Sequence, residues 1–213
     1  IPSLISRNGN LAALLAARAG AGAVGSLEPG EYVVEHGGTT YYAGALALSQ
    51  DATGATSGSA DPSRYYNGTT LISLMALVGA TYPGDVRLKL VTGIPPALLD
   101  DQPTIKRQIT DHLIGTHHFT FHSSMGSRDV LMTIERVRIL ADGAAALAVY
   151  GAPGEPCGVL DIGWHTADVA WFDRNGKIVR DKSGSLPGAG MERVGDVLSL
   201  HFKQRCGRSL KAD

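Results

Sequence analysis

Apolar residues recur along this chain at both helical and alternating spacings, and the two kinds of segment are interspersed. Helical spacing predicts helices over residues 10–19, 69–79, 104–114, 143–150 and 191–204. Strand-like segments predict strands over residues 32–35, 39–43, 86–92, 117–122, 129–140, 159–162, 167–172 and 177–182. The first two flank Gly37-Gly38 and predict a β-hairpin. The stretch Asp51 to Gly68 is rich in small polar residues and predicts a loop. Helices mixed with strands in this way indicate the α/β fold class.

The segment from Gly158 to Ser183 predicts a β-meander with an acidic residue in its first strand. Asp161 stands among apolar neighbours there, and burying an ionised carboxylate is unfavourable unless a cation or hydrogen-bond donors face it. We therefore expect a positive group opposite Asp161. The dipeptide Asn175-Gly176 predicts the hairpin turn that leads into the third strand.

A short polar turn, Gly163 to Thr166, separates the first two strands of the meander. Its backbone N–H groups and the Thr166 hydroxyl are donors that could hold phosphate oxygens, while Asp161 could reach a hydrated Mg²⁺ ion. The turn therefore predicts a phosphate site.

Composition narrows the range of partners. The 213 residues carry 19 basic and 20 acidic side chains, a formal charge of −1, and no dense basic run, which argues against direct capture of nucleic acid. Any link to DNA is therefore expected to be indirect. Cys157 and Cys206 are too few for a disulfide scaffold, so a cytoplasmic protein is expected. No apolar run approaches the ~20 residues of a membrane span, so no membrane partner is expected.

The pattern D-I-G-x-x-T-x-D, which begins at Asp161, resembles the second phosphate motif of the actin, Hsp70 and sugar-kinase ATPase superfamily. The matching positions are Asp161, Gly163, Thr166 and Asp168. Three upstream segments resemble, in order, the amino-terminal domain of bacterial and archaeal actin-like proteins, which include the ParM/StbA type of plasmid-segregation protein. These segments are Ile1-Pro2-Ser3, Tyr41-Tyr42-Ala43-Gly44 with Ala47, and Val91-Thr92-Gly93-Ile94-Pro95.

The resemblance implies an actin-like ATPase fold of the ribonuclease H-like type, divided into two domains. Residues 1–152 would form most of domain I, and residues 153–213 would form the start of domain II. The family's first phosphate hairpin, usually D-x-G, and its glycine-rich adenosine motif have no counterpart in this sequence. We therefore expect a truncated chain that binds nucleotide poorly by itself.

The resemblance also implies roles for particular residues, with ATP and Mg²⁺ as cofactors. Asp161 and Asp168 would hold the metal, whereas Asp161 and Asp142 would serve catalysis, Asp142 by orienting the attacking water. The water-orienting residue of the resembling family is a glutamine or glutamate, and aspartate is one methylene shorter than glutamate. Contacts to phosphate or ribose are implied for Gly163, Trp164, His165, Thr166 and Gly188.

The residues themselves leave alternatives open. Asp142 also fits the N-cap of the helix over residues 143–150. Asp168 also fits a turn residue that bonds to the Thr166 backbone. Further alternatives are a packing role for Trp164, an outward-facing ring for His165 and a simple helix entry at Gly188.

As a function, the resemblance implies an ATPase that hydrolyses ATP with Mg²⁺, polymerises into filaments and separates plasmid DNA through an adaptor complex. Hydrolysis by this chain is expected only if the chain is complete. One alternative is a non-polymerising interaction module or fragment of the same fold. Another is a small-molecule kinase of the same superfamily, such as a sugar or acetate kinase.

Overall fold

The structure of the chain, a computed structural model, describes residues 5–7, 9–20, 26–50, 62–98 and 102–207. Its strands are β1 Ile5–Arg7, β2 Tyr32–His36, β3 Thr39–Ala43, β4 Val86–Ile94, β5 Gly115–Ser123, β6 Gly126–Ala141, β7 Cys157–Ile162, β8 Thr166–Phe172 and β9 Gly184–Pro187. Its helices are α1 Leu11–Gly20, α2 Ala45–Gln50, α3 Gly68–Thr81, α4 Gln102–Leu113, α5 Ala144–Tyr150 and α6 Met191–Cys206. The segment Ile1-Pro2-Ser3 and most of the predicted loop 51–68 lie outside the described residues.

The strands form two sheets, and their combination with helices confirms the predicted α/β class. One sheet has the order β1-β3-β2-β5-β6-β4, and the other has the order β7-β8-β9. The chain divides into two compact units, Ile1–Leu90 with Ile105–Val137 and Val91–Thr104 with Arg138–Asp213, called the first and second units below. The junction predicted at residues 152–153 lies within the second unit, and the assignment of actin-like domains I and II stays a prediction.

The first unit is built around antiparallel hairpins. β2 and β3 form the predicted hairpin, in which Gly37 and Gly38 have positive φ angles of 56° and 75°. Val33 and Val34 of β2 are both fully buried. Because successive side chains on a strand point to opposite faces, both faces of the sheet are covered at β2.

In helix α4 the apolar residues that recur at helical spacing are the ones that are buried. Ile105, Ile109 and Leu113 stand four residues apart, and all three are buried. Residues four apart share one face of a helix, so α4 packs through a single apolar stripe, as its sequence predicts.

The hairpin turn predicted in the second unit lies where Asn175 and Gly176 stand. Gly176 has a φ of 71°, and its N–H donates to the carbonyl of Asp173 at 2.9 Å. The Asp173 carboxylate also accepts the N–H groups of Asn175 at 2.8 Å and Lys177 at 2.9 Å. The turn is therefore held by Asp173 as well as by the glycine.

The third strand predicted over residues 177–182 is wrong. Ile178 makes only an isolated bridge to Phe172, and Arg180–Lys182 is a short 3-10 turn. The third strand is instead β9, Gly184–Pro187, which pairs with the first half of β8. A side chain explains the shift, because the Ser183 hydroxyl forms hydrogen bonds with backbone groups that a regular third strand would use.

Ser183 bonds to both sides of the gap between the turn and β9. Its hydroxyl donates to the carbonyl of Val179 at 2.8 Å and accepts the N–H of Trp171 at 2.9 Å. The Trp171 N–H is thus satisfied by a side chain instead of a neighbouring strand. Local bonds of this kind compete with regular pairing, and no hydrophobic pattern predicts them.

Candidate functional site

The second unit brings two of the predicted acidic residues together across neighbouring strands. Asp161 of β7 and Asp168 of β8 are directly paired in the antiparallel register. Residues paired in this way have their side chains on the same face of the sheet. The structure therefore places both carboxylates on one face, one on each side of the turn Gly163 to Thr166.

Asp168 is the buried member of this pair, with 9% of its surface exposed. Its carboxylate accepts the Thr166 hydroxyl at 3.0 Å and also the hydroxyl of Ser185 on β9. Two hydroxyl donors therefore compensate the buried carboxylate. The predicted partner was the Thr166 backbone, whereas the bond comes from the Thr166 side chain. In this conformation the hydroxyl proton of Thr166 is directed to Asp168.

Asp161 is the exposed member, and the positive group expected opposite it is not found among the ion pairs of the described residues. The expectation assumed that the apolar strand β7 is buried. Its apolar neighbours Leu160 and Ile162 are instead 61% and 52% exposed. Water can therefore solvate the Asp161 carboxylate, and a Mg²⁺ ion at this position stays a prediction.

The turn between β7 and β8 is held by backbone bonds to helix α6. The N–H of Met191 donates to the carbonyl of Gly163 at 2.9 Å, and the N–H of Glu192 donates to the carbonyl of Trp164 at 2.9 Å. Within the turn, the N–H of Gly163 donates to the carbonyl of Thr166 at 2.9 Å. The first turn of α6 and the β7–β8 turn therefore satisfy each other's backbone groups.

This bonding fixes the direction of two N–H groups in the turn. In a trans peptide the C=O and N–H point in opposite directions, and the described residues contain no cis peptide bond. The carbonyls of Gly163 and Trp164 point to α6, so the N–H groups of Trp164 and His165 point away from it. Successive N–H groups that face the same side are a typical anion-binding arrangement.

The side chains of Trp164 and His165 differ from the alternatives considered for them, while contact of these residues with a nucleotide stays a prediction. The indole of Trp164 is 61% exposed, so the packing role expected for it is not met within the described residues. The His165 ring does not simply face solvent, because its Nδ1 lies 2.7 Å from Oε2 of Glu192 on α6. His165 therefore adds a side-chain contact to the backbone bonds between the turn and the helix.

Gly188 closes the other side of the turn. Its φ is 71°, and its N–H donates to the carbonyl of His165 at 2.8 Å. This geometry fits the helix-entry alternative, since the chain turns here from β9 towards α6. Contact of Gly188 with a ribose stays a prediction.

Asp142 lies next to the Val91–Pro95 segment and does not cap helix α5. The residue at the N-cap is Gly143, with a φ of 87° and no side-chain cap bond, so the capping alternative is wrong. The N–H of Asp142 donates to the carbonyl of Ile94 at 2.9 Å. Its carboxylate lies so close to Gly93 that a Cβ there would overlap it. Gly143 itself packs on the meander, because a Cβ added to it would lie 3.0 Å from Val159.

Three residues of this site were missed at the level of sequence. Ser185 bonds to Asp168, Glu192 bonds to His165, and Gly190 lies against the turn. Each depends on the register of β9 and on the position of α6, neither of which the motif around Asp161 encodes. The only available signal was the glycine-rich run before α6.

The acidic pair is compatible with a magnesium ion but does not form a complete metal centre. The described residues contain no group of three or more His, Cys, Asp or Glu side chains arranged to hold a metal. Mg²⁺ usually keeps several waters and takes one or two carboxylates together with nucleotide phosphates. The exposed Asp161 fits that requirement better than Asp168, whose carboxylate already accepts two hydroxyl groups.

Comparison with protein families shows that the family described as actin like proteins N terminal domain matches residues 1–144. The meander with its turn lies beyond this match. A comparison with curated protein sequences finds no match. None of the described helices is long and apolar enough to cross a membrane.

Solved structures of actin homologues have a similar fold. The archaeal actin homologue Ta0583 is 18% identical, with a TM-score of 0.73 over 99% of this chain and 62% of its own. An AlfA filament bound to AMPPNP is 17% identical, with a TM-score of 0.59 over 97% of this chain and 67% of its own. The apo pSK41 ParM protein is 16% identical, with a TM-score of 0.61 over 96% of this chain and 68% of its own. At these identities the likeness establishes the fold, and the chain spans about three fifths of the length of Ta0583.

Proposed function

The chain belongs to the actin-like proteins, whose N-terminal domain family matches residues 1–144, and we propose on this basis that it is part of an ATPase that polymerises. The proposal includes binding and hydrolysis of ATP with Mg²⁺ and assembly of copies into filaments. The AlfA structure, described as a filament bound to AMPPNP, supports nucleotide binding and assembly because it combines a nucleotide and a polymer on this fold. Separation of plasmid DNA through an adaptor, in the cytoplasm, completes the proposal.

The observation that carries the proposal is the direction of the backbone donors in the β7–β8 turn. The N–H groups of Trp164 and His165 point away from α6, on the side where no bond to that helix competes for them. We assign them to the phosphate oxygens of the nucleotide, with Gly163 forming the start of the turn. Such donors stabilise phosphate charge without requiring a basic side chain.

The two acidic residues Asp161 and Asp168 have different proposed roles. The exposed carboxylate of Asp161 would accept hydrogen bonds from metal-bound water, and the buried Asp168 would hold the Thr166 hydroxyl in place at the turn. When bound, Mg²⁺ would supply neutralisation of the phosphate charge. Gly188, which is bonded to the carbonyl of His165, would approach the ribose.

Asp142 is assigned to orientation of the attacking water. Its backbone is fixed to Ile94 and its carboxylate packs against Gly93, so its position is defined by the Val91–Pro95 segment. Aspartate has a shorter reach than the glutamate or glutamine implied by the family resemblance. We therefore propose slow hydrolysis, with residues 1–152 and 153–213 acting as parts of actin-like domains I and II.

Calorimetric titration with Mg·ATP, followed by sedimentation of the same samples, tests this function. Because the chain by itself is expected to bind nucleotide poorly, the sample is the intact protein that contains it. The wild-type protein is expected to bind and to pellet in the presence of ATP. The variant Asp161→Ala is expected to lose magnesium-dependent binding while keeping its circular dichroism spectrum. Glu155→Ala, an exposed acidic residue of the same unit, is the matched control and is expected to behave as wild type.

Other outcomes discriminate between the functions. Binding without pelleting would favour the non-polymerising module. Transfer of phosphate to a sugar or to acetate in place of water would favour the kinase alternative. Equal Mg·ATP affinity of wild type and Asp161→Ala would contradict the assignment of Asp161.

A further inference from the structure

The β7–β8 turn and the start of α6 are joined more closely than a phosphate-binding turn requires. Two backbone bonds, from the N–H groups of Met191 and Glu192, end on carbonyls of the turn at 2.9 Å each. A third contact joins side chains, where Nδ1 of His165 lies 2.7 Å from Oε2 of Glu192. We call this third contact the latch. Neither the turn nor the helix end can shift without breaking these bonds.

Gly190 permits this close approach. A Cβ added at Gly190 would overlap the carbonyl oxygen of Trp164 and would lie 2.7 Å from the carbonyl oxygen of Gly163. The backbone of Gly190 has φ −82° and ψ −174°, which any residue can adopt. Glycine is therefore needed here for space and not for its conformation. The contact between the helix and the turn depends on that space.

The latch acts on the peptide groups that carry the phosphate donors. The carbonyl of Trp164 is bonded to α6, and the N–H of His165 belongs to the same peptide group. A rotation of this peptide would break the bond to Glu192 and turn the His165 N–H away from the ligand. Because the latch joins these same two residues through their side chains, it opposes that rotation.

We propose that His165 and Glu192 are positioning residues, which hold the Trp164 and His165 N–H groups in the direction that receives a nucleotide phosphate. This inference rests on the proposed function of the turn. The two side chains are 37% and 49% exposed, and an exposed pair of this kind contributes little to global stability. The latch therefore acts on the local conformation of the turn more than on the fold.

Amide hydrogen exchange of the ligand-free chain tests the latch directly. In His165→Ala, the N–H groups of Met191 and Glu192 are expected to exchange about fivefold faster, the factor that corresponds to about 1 kcal/mol. His165→Asn is expected to restore protection, since its amide nitrogen can take the place of Nδ1. Asp196→Ala, which removes an exposed carboxylate one turn further along α6, should leave this exchange unchanged. Unchanged exchange in His165→Ala would overturn the proposal.

A titration with Mg·ADP tests the role of the latch in binding. The Trp171→Phe background leaves Trp164 as the sole tryptophan, so its fluorescence reports on the turn. His165→Ala is expected to weaken Mg·ADP binding about fivefold without changing global unfolding, and His165→Asn is expected to recover it. Equal affinity of wild type and His165→Ala would overturn the positioning role. If exchange responds to the latch while wild type shows no response to Mg·ADP, the latch stands and the proposed function fails.

Discussion

The two units differ in how many of their large apolar side chains are buried, although the second unit also buries a few, such as Ile94 and Phe172. In the first unit the strands bury their large side chains, and Phe119, Phe121 and Met132 are almost completely inaccessible. In the second unit Leu160, Leu186 and most apolar residues of α6 are exposed, and α5 and α6 contain no buried residue. Packing therefore determines the first unit, whereas hydrogen bonds determine the conformation of the candidate site in the second.

The largest change in the free energy of unfolding is expected from a substitution that disrupts the packing of the first unit. Phe119→Ala removes a side chain that is 1% exposed and is expected to lower the free energy of unfolding by about 3–5 kcal/mol. Leu160→Ala removes an exposed side chain in the second unit, and the expected change is below about 1 kcal/mol. Urea unfolding followed by circular dichroism measures both. Similar losses in the two variants would contradict the contrast between the units.

A smaller effect is expected from crowding the backbone contact in the second unit. Gly190→Ala introduces a Cβ against the carbonyl of Trp164, so the turn or the helix must shift, at an expected cost of about 1–3 kcal/mol. Gly184→Ala is the control, because a Cβ there meets nothing within 4 Å. Thermal unfolding compares the two. Equal melting temperatures would show that the turn and α6 are not in contact as described.

An ion pair in the first unit is expected to make the stability of the fold depend on pH in the acidic range. Arg18 forms two bonds to the Glu31 carboxylate, at 2.6 and 2.7 Å, which hold the pKa of Glu31 below its ordinary value of 4.5. A lowered carboxyl pKa stabilises the fold above pH 4.5, and this contribution is lost as the pH falls through the lowered pKa. Arg18→Gln is expected to cost about 1–2 kcal/mol at pH 7 and to flatten this acid dependence.

The matched control for this pair is Arg87→Gln. Arg87 is 3.4 Å from Glu135 and its side chain is 81% exposed, so its loss is expected to change stability by less than about 0.5 kcal/mol. Denaturant titrations at neutral and acidic pH measure both variants. An acid dependence that survives in Arg18→Gln would assign it to other carboxylates.

The smallest predicted effect concerns His112 on α4. Burial lowers the pKa of His112 below its ordinary value of 6.5, and the nearby His117 lowers this pKa further, although a bond to the Asn67 backbone opposes the shift. The unfolded chain therefore binds a proton more readily, and stability is lost as the pH falls below 6.5. His112→Gln should flatten this dependence by less than about 1 kcal/mol. The exposed His201 provides the control substitution, and a flattening of the same size in His201→Gln would contradict the assignment.

The sequence predicted those parts of the fold that depend on local apolar spacing and glycine turns. The β2–β3 hairpin, the apolar stripe of α4 and the pairing of β7 with β8 are of this kind. The short elements β1 and α2 were missed, since three and six residues carry too little periodicity to be recognised.

Predictions failed where a side chain or a neighbouring element decides the outcome. Ser183 interrupts the predicted third strand by bonding to backbone groups, and Gly143 replaces Asp142 at the N-cap of α5. Asp161 lies on an exposed strand with no protein cation among the described ion pairs, so the expectation of a Mg²⁺ ion there stays a prediction. The motif predicted the position of the turn in the sequence, but the hydrogen bonds that join the turn to α6 could be seen only in the structure.

The most direct test of the central claim is an NMR titration of the backbone amides with Mg·ADP. The account predicts that the Trp164 and His165 N–H resonances shift with nucleotide, while those of Gly37 and Gly38 in the first unit do not. Shifts confined to the first unit, or no shift at Trp164 and His165 when nucleotide is bound, would contradict the assignment of the β7–β8 turn to phosphate binding.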